Sequence, residues 1–440
     1  MKRLIFCAIL LSSTFMACNK GDHFPLPGQN DAGKFSSDVI HKWITMQIRL
    51  MKDATGIPNV AFSRYYAYTG VAAYEAIAPG TSIGSAINRK LNGLTNLPQA
   101  DQHKIYYWPA SVNAALASMN LNIFTNASAA DMASVDSLEN ALNLLYSSEA
   151  SAEVLTRSKA FGKAVADAVF NWSETDGNAH SSDAYTAPVG PGLWVLTPPG
   201  FGNASTPYFG NLRPIIIGSI DHTQPGPPIP YSEDPNSAFY QMALTDYTAS
   251  QNLTADQTAM ALFWRDIPGV TSGGHWESIL QQVLKQTNTR LDKAAVAYAV
   301  TGICNSDPCI SCWKTKYTYN LVRPITYIRN VIGYTTWNSL LTTPAHPEYS
   351  SAHAVLSTAT SDAFTALFGN IGSFTDHTYD YLGFAPRTFA SFRAIGENAA
   401  NSRLYAGIHY QPSIDTGMMQ GRKVATNILR SLGFHADDDK

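Results

Sequence analysis

Apolar residues recur at steps of three and four along most of this chain, and strictly alternating patterns are scarce. The helical spacing is clearest in segments 36–53, 62–77, 130–148 and 153–172. This interval places apolar side chains on one face of an α-helix, whereas a half-buried strand would alternate. A chain of 440 residues with 45% hydrophobic residues can also bury a large core. We therefore predict an all-α fold of helix bundles in a single large domain.

Two local features mark where helices start and where they are absent. Thr254 and Gln257 have the spacing of a capping box, which satisfies the first free amides of a helix. From about 180 to 240 the chain is rich in proline and glycine, as in "APVGPGLW" and "QPGPPIPY", which predicts a long wrapping loop. Loops of that length in a compact protein usually line or cover a functional site. Simple packing against the helices is the alternative.

The first residues have the composition of an export signal. Residues 1–17 combine a basic start, an apolar run too short to span a bilayer and small residues before Cys18. The Ala17-Cys18 junction predicts a lipoprotein signal in which Cys18 becomes the lipidated first residue; ordinary secretion with cleavage near Ala17 is the alternative. Residues 18–35 are polar and non-periodic, as in a tether. We place the folded domain at 36–434 and expect a periplasmic or cell-surface protein, or a secreted one.

Charge and hydropathy narrow the classes of partner. Removing the signal deletes Lys2 and Arg3 and no acid, so the formal charge falls from −3 to −5, which disfavours nucleic acid. No other run approaches the roughly 20 apolar residues of a membrane helix, so membrane contact is expected only through a lipid. A homo-oligomer is compatible with the sequence.

Three cysteines remain in the domain: Cys304, Cys309 and Cys312. In an oxidising compartment one disulfide among them is expected, most simply between Cys304 and Cys309. A zinc site would need a fourth ligand.

Three short segments carry the residues that point to chemistry. In "WKTKYTYNLVRP", Lys316 and Arg323 are seven residues apart, so on a helix they would share a face and converge on one anion. Pro324 places a helix end near Arg323. A lysine and an arginine at this spacing can equally form a solvated face.

The second segment, "EYSSAHAVL", places Ser351, Ala352 and His353 before an apolar helical run. A helix start offers free amides and a positive dipole end to an anion, and histidine can move a proton near neutral pH. Simple N-capping by serine with a packed histidine is the alternative. In the third segment, "NSRLYAGIHY", Arg403 can grip two oxygens of an oxyanion and His409 can present a ring nitrogen to its central atom.

The three segments follow one another in a fixed order. A lysine is followed after six residues by Arg-Pro, then comes Ser-Ala-His, and then Ser-Arg followed after five residues by a histidine. This pattern resembles that of the superfamily shared by vanadium-dependent haloperoxidases and type-2 phosphatidic acid phosphatases. Segments such as "YTAPVGPGLW" and "FWRDIPGVTSGGHWESI" also look like those of soluble bacterial haloperoxidases, and the likeness spans about residues 45 to 430. The resemblance implies helix bundles around a deep oxyanion pocket.

The resemblance also implies a cofactor and roles for the site residues. Vanadate would be bonded to His409, and phosphate can occupy the same site. Hydrogen peroxide and halide would be the substrates, with His353 accepting the peroxide proton and Lys316 polarising the peroxide. The oxygens of the cofactor would be held by Lys316, Arg323, Ser351, the Ala352 amide and Arg403.

Further positions bear on which branch of the superfamily the chain resembles. Trp313, three residues before Lys316, matches the halide pocket of haloperoxidases, and His346, five before Ser351, resembles the bromo- and iodoperoxidase pattern rather than that of chloroperoxidases. Asp266 looks like the buried acid that orients Arg403; a loop cap is the alternative reading. Many relatives have an aspartate four residues after the last histidine, where this chain has Ser413, and Ala352 replaces the usual glycine.

The leading interpretation is a vanadate-dependent haloperoxidase that oxidises iodide or bromide to hypohalous acid. One alternative is an acid phosphatase in which His409 attacks phosphorus and forms a phosphohistidine. Ser413 in place of aspartate weakens both readings, the phosphatase more so, because serine orients an imidazole poorly. The other alternative is a lipoprotein that binds glycans or phosphate without catalysis, which would have no use for two histidines beside the cations.

Overall fold

The computed structural model describes residues 30–266 and 270–434, and these are mainly helical. The α-helices, in chain order, are α1 (Asp38–Asp53), α2 (Ala61–Glu75), α3 (Ile87–Lys90), α4 (Trp108–Ile123), α5 (Ala129–Tyr146), α6 (Ala152–Ser173), α7 (Ala238–Gln251), α8 (Ala255–Phe263), α9 (Ser272–Gln286), α10 (Leu291–Tyr319), α11 (Pro324–Tyr327), α12 (Ala352–Phe368), α13 (Phe392–Tyr405) and α14 (Gln411–Leu432). Two short antiparallel strands, β1 (Phe374–Asp376) and β2 (Arg387–Phe389), form a hairpin. The all-α prediction is confirmed, as is the capping box of Thr254 and Gln257 at the start of α8.

The folded region begins earlier than the predicted boundary at residue 36. Asn30 donates a hydrogen bond to the Lys104 carbonyl and accepts one from the Tyr106 amide, and Ala32 is fully buried. Residues 30–35 are therefore packed rather than tether-like. The predicted signal, Cys18 and the rest of the tether lie outside the described residues. Within the part of the chain that is described, no helix has the length and apolar content to cross a membrane.

Helix α10 runs through the centre of the molecule and packs against α2, α9, α12 and α14. It is buried along nearly its whole length, and its buried residues include the charged side chains of Asp307 and Lys316. Pro308 lies inside α10 and cannot donate to the carbonyl four residues earlier. That carbonyl, of Cys304, instead lies 3.2 Å from the Thr360 hydroxyl of α12, which ties the two helices together.

The predicted disulfide is absent: Cys304, Cys309 and Cys312 are free, buried thiols. The reason is the helix that carries them. Residues five apart on one α-helix are rotated by about 140° around its axis, so Cys304 and Cys309 point in different directions. Burial also raises the pKa of all three thiols, which keeps them protonated and unreactive.

The long connection between α6 and α7 wraps around α10, and its proline- and glycine-rich sequence forms only short turns. The buried Asp307 carboxylate of α10 fixes it by accepting hydrogen bonds from the amides of Ile215 and Ile216 at 2.7 and 3.0 Å, and from the Ser219 hydroxyl at 2.6 Å. The same connection brings Pro198 and other residues to the wall of a cavity beside the C-terminal part of α10. The loop therefore both packs against the helices and lines a cavity.

Close contact between α12 and α14 sets the position of the chain that follows α13. A Cβ atom added at Gly417 would lie 2.8 Å from the Ser351 carbonyl oxygen, and one at Gly421 would overlap the Val355 carbonyl oxygen. Glycine at both positions lets the two helix backbones approach closely. As a result, the start of α14 lies against the start of α12.

Candidate active site

Lys316 and Arg323 are both fully buried, but they do not lie on one helix as the spacing predicted. Helix α10 ends at Tyr319, because Asn320 adopts the left-handed conformation with φ of 47°. Asparagine tolerates this conformation better than most residues. Arg323 then precedes Pro324 as the N-cap of α11. The two cations approach each other because the chain turns at Asn320, not because they share a helix face.

Neutral carbonyl groups hold both side chains. Lys316 Nζ donates to the carbonyl oxygens of Pro347 and Glu348 at 3.1 and 2.9 Å. Arg323 donates from Nε to the His346 carbonyl and from Nη1 to the Ile408 carbonyl, both at 2.8 Å. Burial lowers the pKa of Lys316 to about 8 and that of Arg323 to about 10. Because their immediate acceptors are uncharged, the site keeps a strong positive field.

The start of α12 presents Ser351, Ala352 and His353 to the same region. The simple capping alternative for Ser351 is wrong, since its side chain makes no capping hydrogen bond and its buried Oγ has no partner in the described chain. Ala352 is the first residue of the helix, where backbone amides lack intrahelical acceptors. Ala352 and His353 line the same cavity as Arg403 and His409.

Arg403, near the end of α13, is buried and only partly satisfied. Its Nη1 donates to the Trp264 carbonyl at 2.9 Å and lies 2.7 Å from His353 Nε2, whereas Nε and Nη2 have no partner in the described regions. Asp266 does not pair directly with Arg403: it accepts from the Ser272 amide at 2.9 Å and lies 3.7 Å from His353 Nε2. The loop-cap reading of Asp266 thus has direct support, and its charge reaches Arg403 only through space.

His353 is held in a strongly positive environment. Burial, and after it the Arg403 guanidinium, keeps the pKa of its imidazole well below the usual value. Nε2 lies 2.7 Å from Arg403 Nη1 and 3.0 Å from the Trp264 carbonyl oxygen, and the lowered pKa keeps the ring neutral. A neutral imidazole here can accept a proton.

His409 lies between α13 and α14, and its ring is oriented by a residue that the motif analysis missed. Glu348 Oε1 is 2.7 Å from His409 Nδ1 and also accepts from the Tyr410 amide at 3.1 Å. This contact assigns the ring proton to Nδ1 and leaves a lone pair on Nε2, which lies 3.3 Å from Arg323 Nη1. Burial lowers the pKa of His409 well below its usual value. The only sequence signal for Glu348 was an acid inside the segment "HPEYSS".

Trp313 and His346 are adjacent, as their predicted role requires. Their ring centroids are 5.1 Å apart, Trp313 Nε1 donates to the Thr206 hydroxyl at 3.0 Å, and His346 Nδ1 lies 2.9 Å from Arg323 Nη2. Burial, followed by the charges of Lys316 and Arg323, lowers the pKa of His346 well below its usual range. The ring is therefore neutral in the free protein.

These groups surround the inner end of one cavity of about 710 Å³. Its polar wall is formed by Asp266, Trp313, His346, Ala352, His353, Arg403 and His409. Apolar residues such as Phe201 and Leu340 line other parts of the cavity and are partly exposed. Arg323 contacts two of these residues, His346 and His409, and Ser351 directly precedes Ala352. Lys316 does not line the cavity; its ammonium is held by the carbonyls of Pro347 and Glu348. Ser413 is on the far side of Glu348, in a separate cavity.

The site fits a tetrahedral oxyanion. The buried charges of Lys316, Arg323 and Arg403 all act on the His409 ring, whose Nε2 is unprotonated. Ser351 Oγ, Arg403 Nε and Arg403 Nη2 are buried donors without a partner in the described chain. Buried charges and donors without partners are costly unless an opposite charge satisfies them. Among His, Cys, Asp and Glu side chains of the described residues, no cluster forms a conventional cation site. The donor set therefore matches an anion that carries several oxygens.

Comparisons with known proteins agree with this chemistry. Residues 296–437 match the family model described as the VCPO second helical-bundle domain. A bacterial vanadium-dependent iodoperoxidase of known structure is 31% identical, and the alignment covers 90% of this chain and 96% of that one with a TM-score of 0.80. A bacterial vanadium-dependent chloroperoxidase is 17% identical in its holo form, with a TM-score of 0.63 over 86% of this chain and 93% of that one, which shows a shared fold. No curated protein sequence matches.

The likeness to the iodoperoxidase covers nearly the whole of both chains. The region matched by the family model contains all the residues predicted to hold the oxyanion: Lys316, Arg323, Ser351, Ala352, Arg403 and His409. The comparisons lend no support to the phosphatase or to the non-catalytic binding protein. The protein is therefore an oxidoreductase that uses peroxide, and the chain belongs to the vanadium-dependent haloperoxidase family.

Proposed function

We propose that this haloperoxidase oxidises iodide or bromide with hydrogen peroxide to the hypohalous acid, with vanadate held at His409. The overall reaction consumes one halide, one peroxide and one proton, and it yields hypohalous acid and water. The observation that carries the proposal is the neutral His409 ring, whose free Nε2 lies among buried cations with orphaned donors. The likeness to an iodoperoxidase supports iodide as a substrate.

Lys316, Arg323 and Arg403 would neutralise the oxygens of the anion, with Ser351 Oγ and the Ala352 amide as further donors. When bound, vanadate would supply a Lewis acid that activates peroxide as the two-electron oxidant of the halide. Lys316, fixed by two carbonyls, is placed to stabilise negative charge on the oxygen that leaves. The four side-chain donors are preorganised, because each is buried in the folded protein.

His353 is suited to accept the proton that peroxide loses on binding. Its ring is neutral in the free protein, and an anion next to Arg403 would offset the charge that lowers its pKa. The same ring could then return a proton to the departing hypohalite.

We assign halide binding to the wall formed by Trp313 and His346. The indole edge and the imidazole next to Arg323 give a partly apolar site with a positive field behind it. A large, weakly hydrated halide suits such a wall, so iodide and bromide are expected to react faster than chloride.

The direct test is turnover after loading with orthovanadate. Purified protein should form triiodide from iodide and peroxide, brominate phenol red more slowly, and lose both activities in the His409→Ala variant. Phosphate, which has the same tetrahedral shape, should compete with vanadate loading. Absence of turnover with both iodide and bromide would contradict the proposed halide specificity.

We also propose that the mature protein is exported and anchored by a lipid at Cys18. The support is the sequence of residues 1–18. Cells fed a labelled fatty acid should incorporate the label into the wild type but not into the Cys18→Ser variant. Label-free secreted protein from the wild type would instead indicate ordinary cleavage near Ala17.

A further inference from the structure

A buried acid behind His409 comes from a different part of the chain than the family pattern places it. Glu348 is fully buried, and its Oε1 accepts hydrogen bonds from His409 Nδ1 at 2.7 Å and from the Tyr410 amide at 3.1 Å. One carboxylate oxygen therefore binds two consecutive residues and fixes both the position and the rotation of the imidazole.

The other polar groups near this point cannot do the same. Ser413 Oγ is buried but has no hydrogen-bond partner in the described chain. Asp415, the nearest acid along α14, is exposed and accepts from Gln411 Nε2 at 2.8 Å. Glu348 is thus the carboxylate in contact with the His409 ring.

The backbone of Glu348 is itself tied to the cationic part of the site. Its carbonyl accepts from Lys316 Nζ at 2.9 Å, and its amide donates to the Leu321 carbonyl at 3.0 Å. A single residue therefore connects the lysine on one side of the pocket with the histidine on the other. A shift of this residue would move both groups relative to a bound anion.

We propose that Glu348 is the positioning residue for His409, and that it replaces the acid that Ser413 lacks. Its carboxylate holds the proton on Nδ1 and directs the Nε2 lone pair into the oxyanion pocket. Carboxylates that bind the second nitrogen of a ligating histidine fix its tautomer and raise its basicity, and their loss typically weakens metal binding about 10- to 100-fold. The inference rests on the assignment of His409 as the vanadate ligand.

A small cavity makes a rescue experiment feasible. It has a volume of about 110 Å³ and is lined by Glu348, Tyr410 and Ser413, among others. Glu348 Oε2 and Ser413 Oγ are both unpartnered within the described residues. A longer side chain at position 413 therefore has room to place a carboxylate near the His409 ring after Glu348 is shortened.

The test compares vanadate binding in five proteins: wild type, Glu348→Ala, Glu348→Ala with Ser413→Asp, Asp415→Ala and His409→Ala. Dissociation constants come from calorimetric titration of the vanadate-free proteins, and the ⁵¹V NMR signal of bound vanadate reports its coordination. Thermal unfolding of each variant checks that the fold persists. Asp415→Ala is the matched control, because it removes an exposed acid from the same helix.

We expect Glu348→Ala to raise the dissociation constant 10- to 100-fold and to change the ⁵¹V signal, with recovery of both in the double variant. Asp415→Ala should behave as wild type. A dissociation constant of Glu348→Ala within threefold of wild type, or no recovery in the double variant, would overturn the positioning role. The His409→Ala protein distinguishes failure of the positioning role of Glu348 from failure of His409 as the vanadate ligand. If His409→Ala binds vanadate as tightly as wild type, the assignment of His409 is the one that fails.

Discussion

Lys316 is the residue in the site whose charge is most sensitive to mild alkali. Burial lowers the pKa of its ammonium to about 8, so in the free protein it is charged below that pH and neutral above it. We therefore expect the vanadate dissociation constant to rise as the pH increases through 8. The measurement is the dissociation constant between pH 6 and 9.5.

The control for this profile is Lys316→Arg, because a guanidinium stays charged across the range. Vanadate also titrates, and the difference between the two proteins removes that common contribution. Parallel profiles would show that Lys316 does not control the pH dependence.

His353 should affect turnover far more than cofactor binding. In His353→Ala the cations and His409 remain, so the vanadate dissociation constant should change by less than about threefold. Loss of the proton acceptor should lower kcat for iodide oxidation by roughly 10²- to 10⁴-fold. Steady-state kinetics on vanadate-loaded protein measure this, and a variant with wild-type kcat would exclude His353 as the base.

The spaced motifs name their residues directly, because residue type and order are visible in the sequence, and the structure brings Ala352, His353, Arg403 and His409 to one cavity. Glu348 was not predicted, since nothing in the spacing shows that its carboxylate turns towards His409. The sequence also predicted that Asp266 orients Arg403, but the two side chains do not pair directly in the structure. Both cases depend on side-chain direction over a few ångströms, which residue order does not determine.

At the scale of elements, the close contact between helices α12 and α14 should make the stability of the protein sensitive to any side chain added between them. Gly421→Ala would place a methyl group onto the Val355 carbonyl. Overpacking of this kind typically costs about 1–3 kcal/mol of unfolding free energy. We expect a loss of that size in urea denaturation, together with weaker vanadate binding, because α14 begins two residues after His409.

Lys423→Ala is the matched control, since Lys423 is exposed on the same helix. Its unfolding free energy should stay within about 0.5 kcal/mol of wild type. If Gly421→Ala were equally mild, the two helices would have enough freedom to separate.

Periodicity predicted helices α1, α2, α5 and α6 to within a few residues. Helices α1, α5 and α6 bury one face against the core, whereas α2 is buried on nearly all sides. It failed between Lys316 and Arg323, where Asn320 in a left-handed conformation ends α10. It also allowed a disulfide in a segment that proved to be a continuous buried helix with an internal proline. The left-handed conformation of Asn320 decided the first outcome, and the continuity of the helix through Cys304 and Cys309 decided the second.

At the scale of the whole molecule, the fold concentrates buried positive charge in a protein of net negative charge. The formal charge is −3, yet Lys316, Arg323 and Arg403 are all buried around one pocket. Isolated buried charges oppose folding unless they are paired. A bound oxyanion should therefore stabilise the folded state against the unfolded one, in which the cations are hydrated and dispersed.

This stabilisation can be measured as a shift in thermal unfolding. Ligand at a free concentration 100 times its dissociation constant stabilises a one-site protein by about 2.7 kcal/mol. With an unfolding entropy of about 2.1 cal/mol/K per residue, a domain of this size should gain roughly 3 °C in Tm. Scanning calorimetry with orthovanadate should show this rise in the wild type, and phosphate should give a smaller one. His409→Ala is the control, because it lacks the imidazole that would bind vanadate. An unchanged Tm in the wild type would mean that the buried cations are already neutralised by groups within the fold.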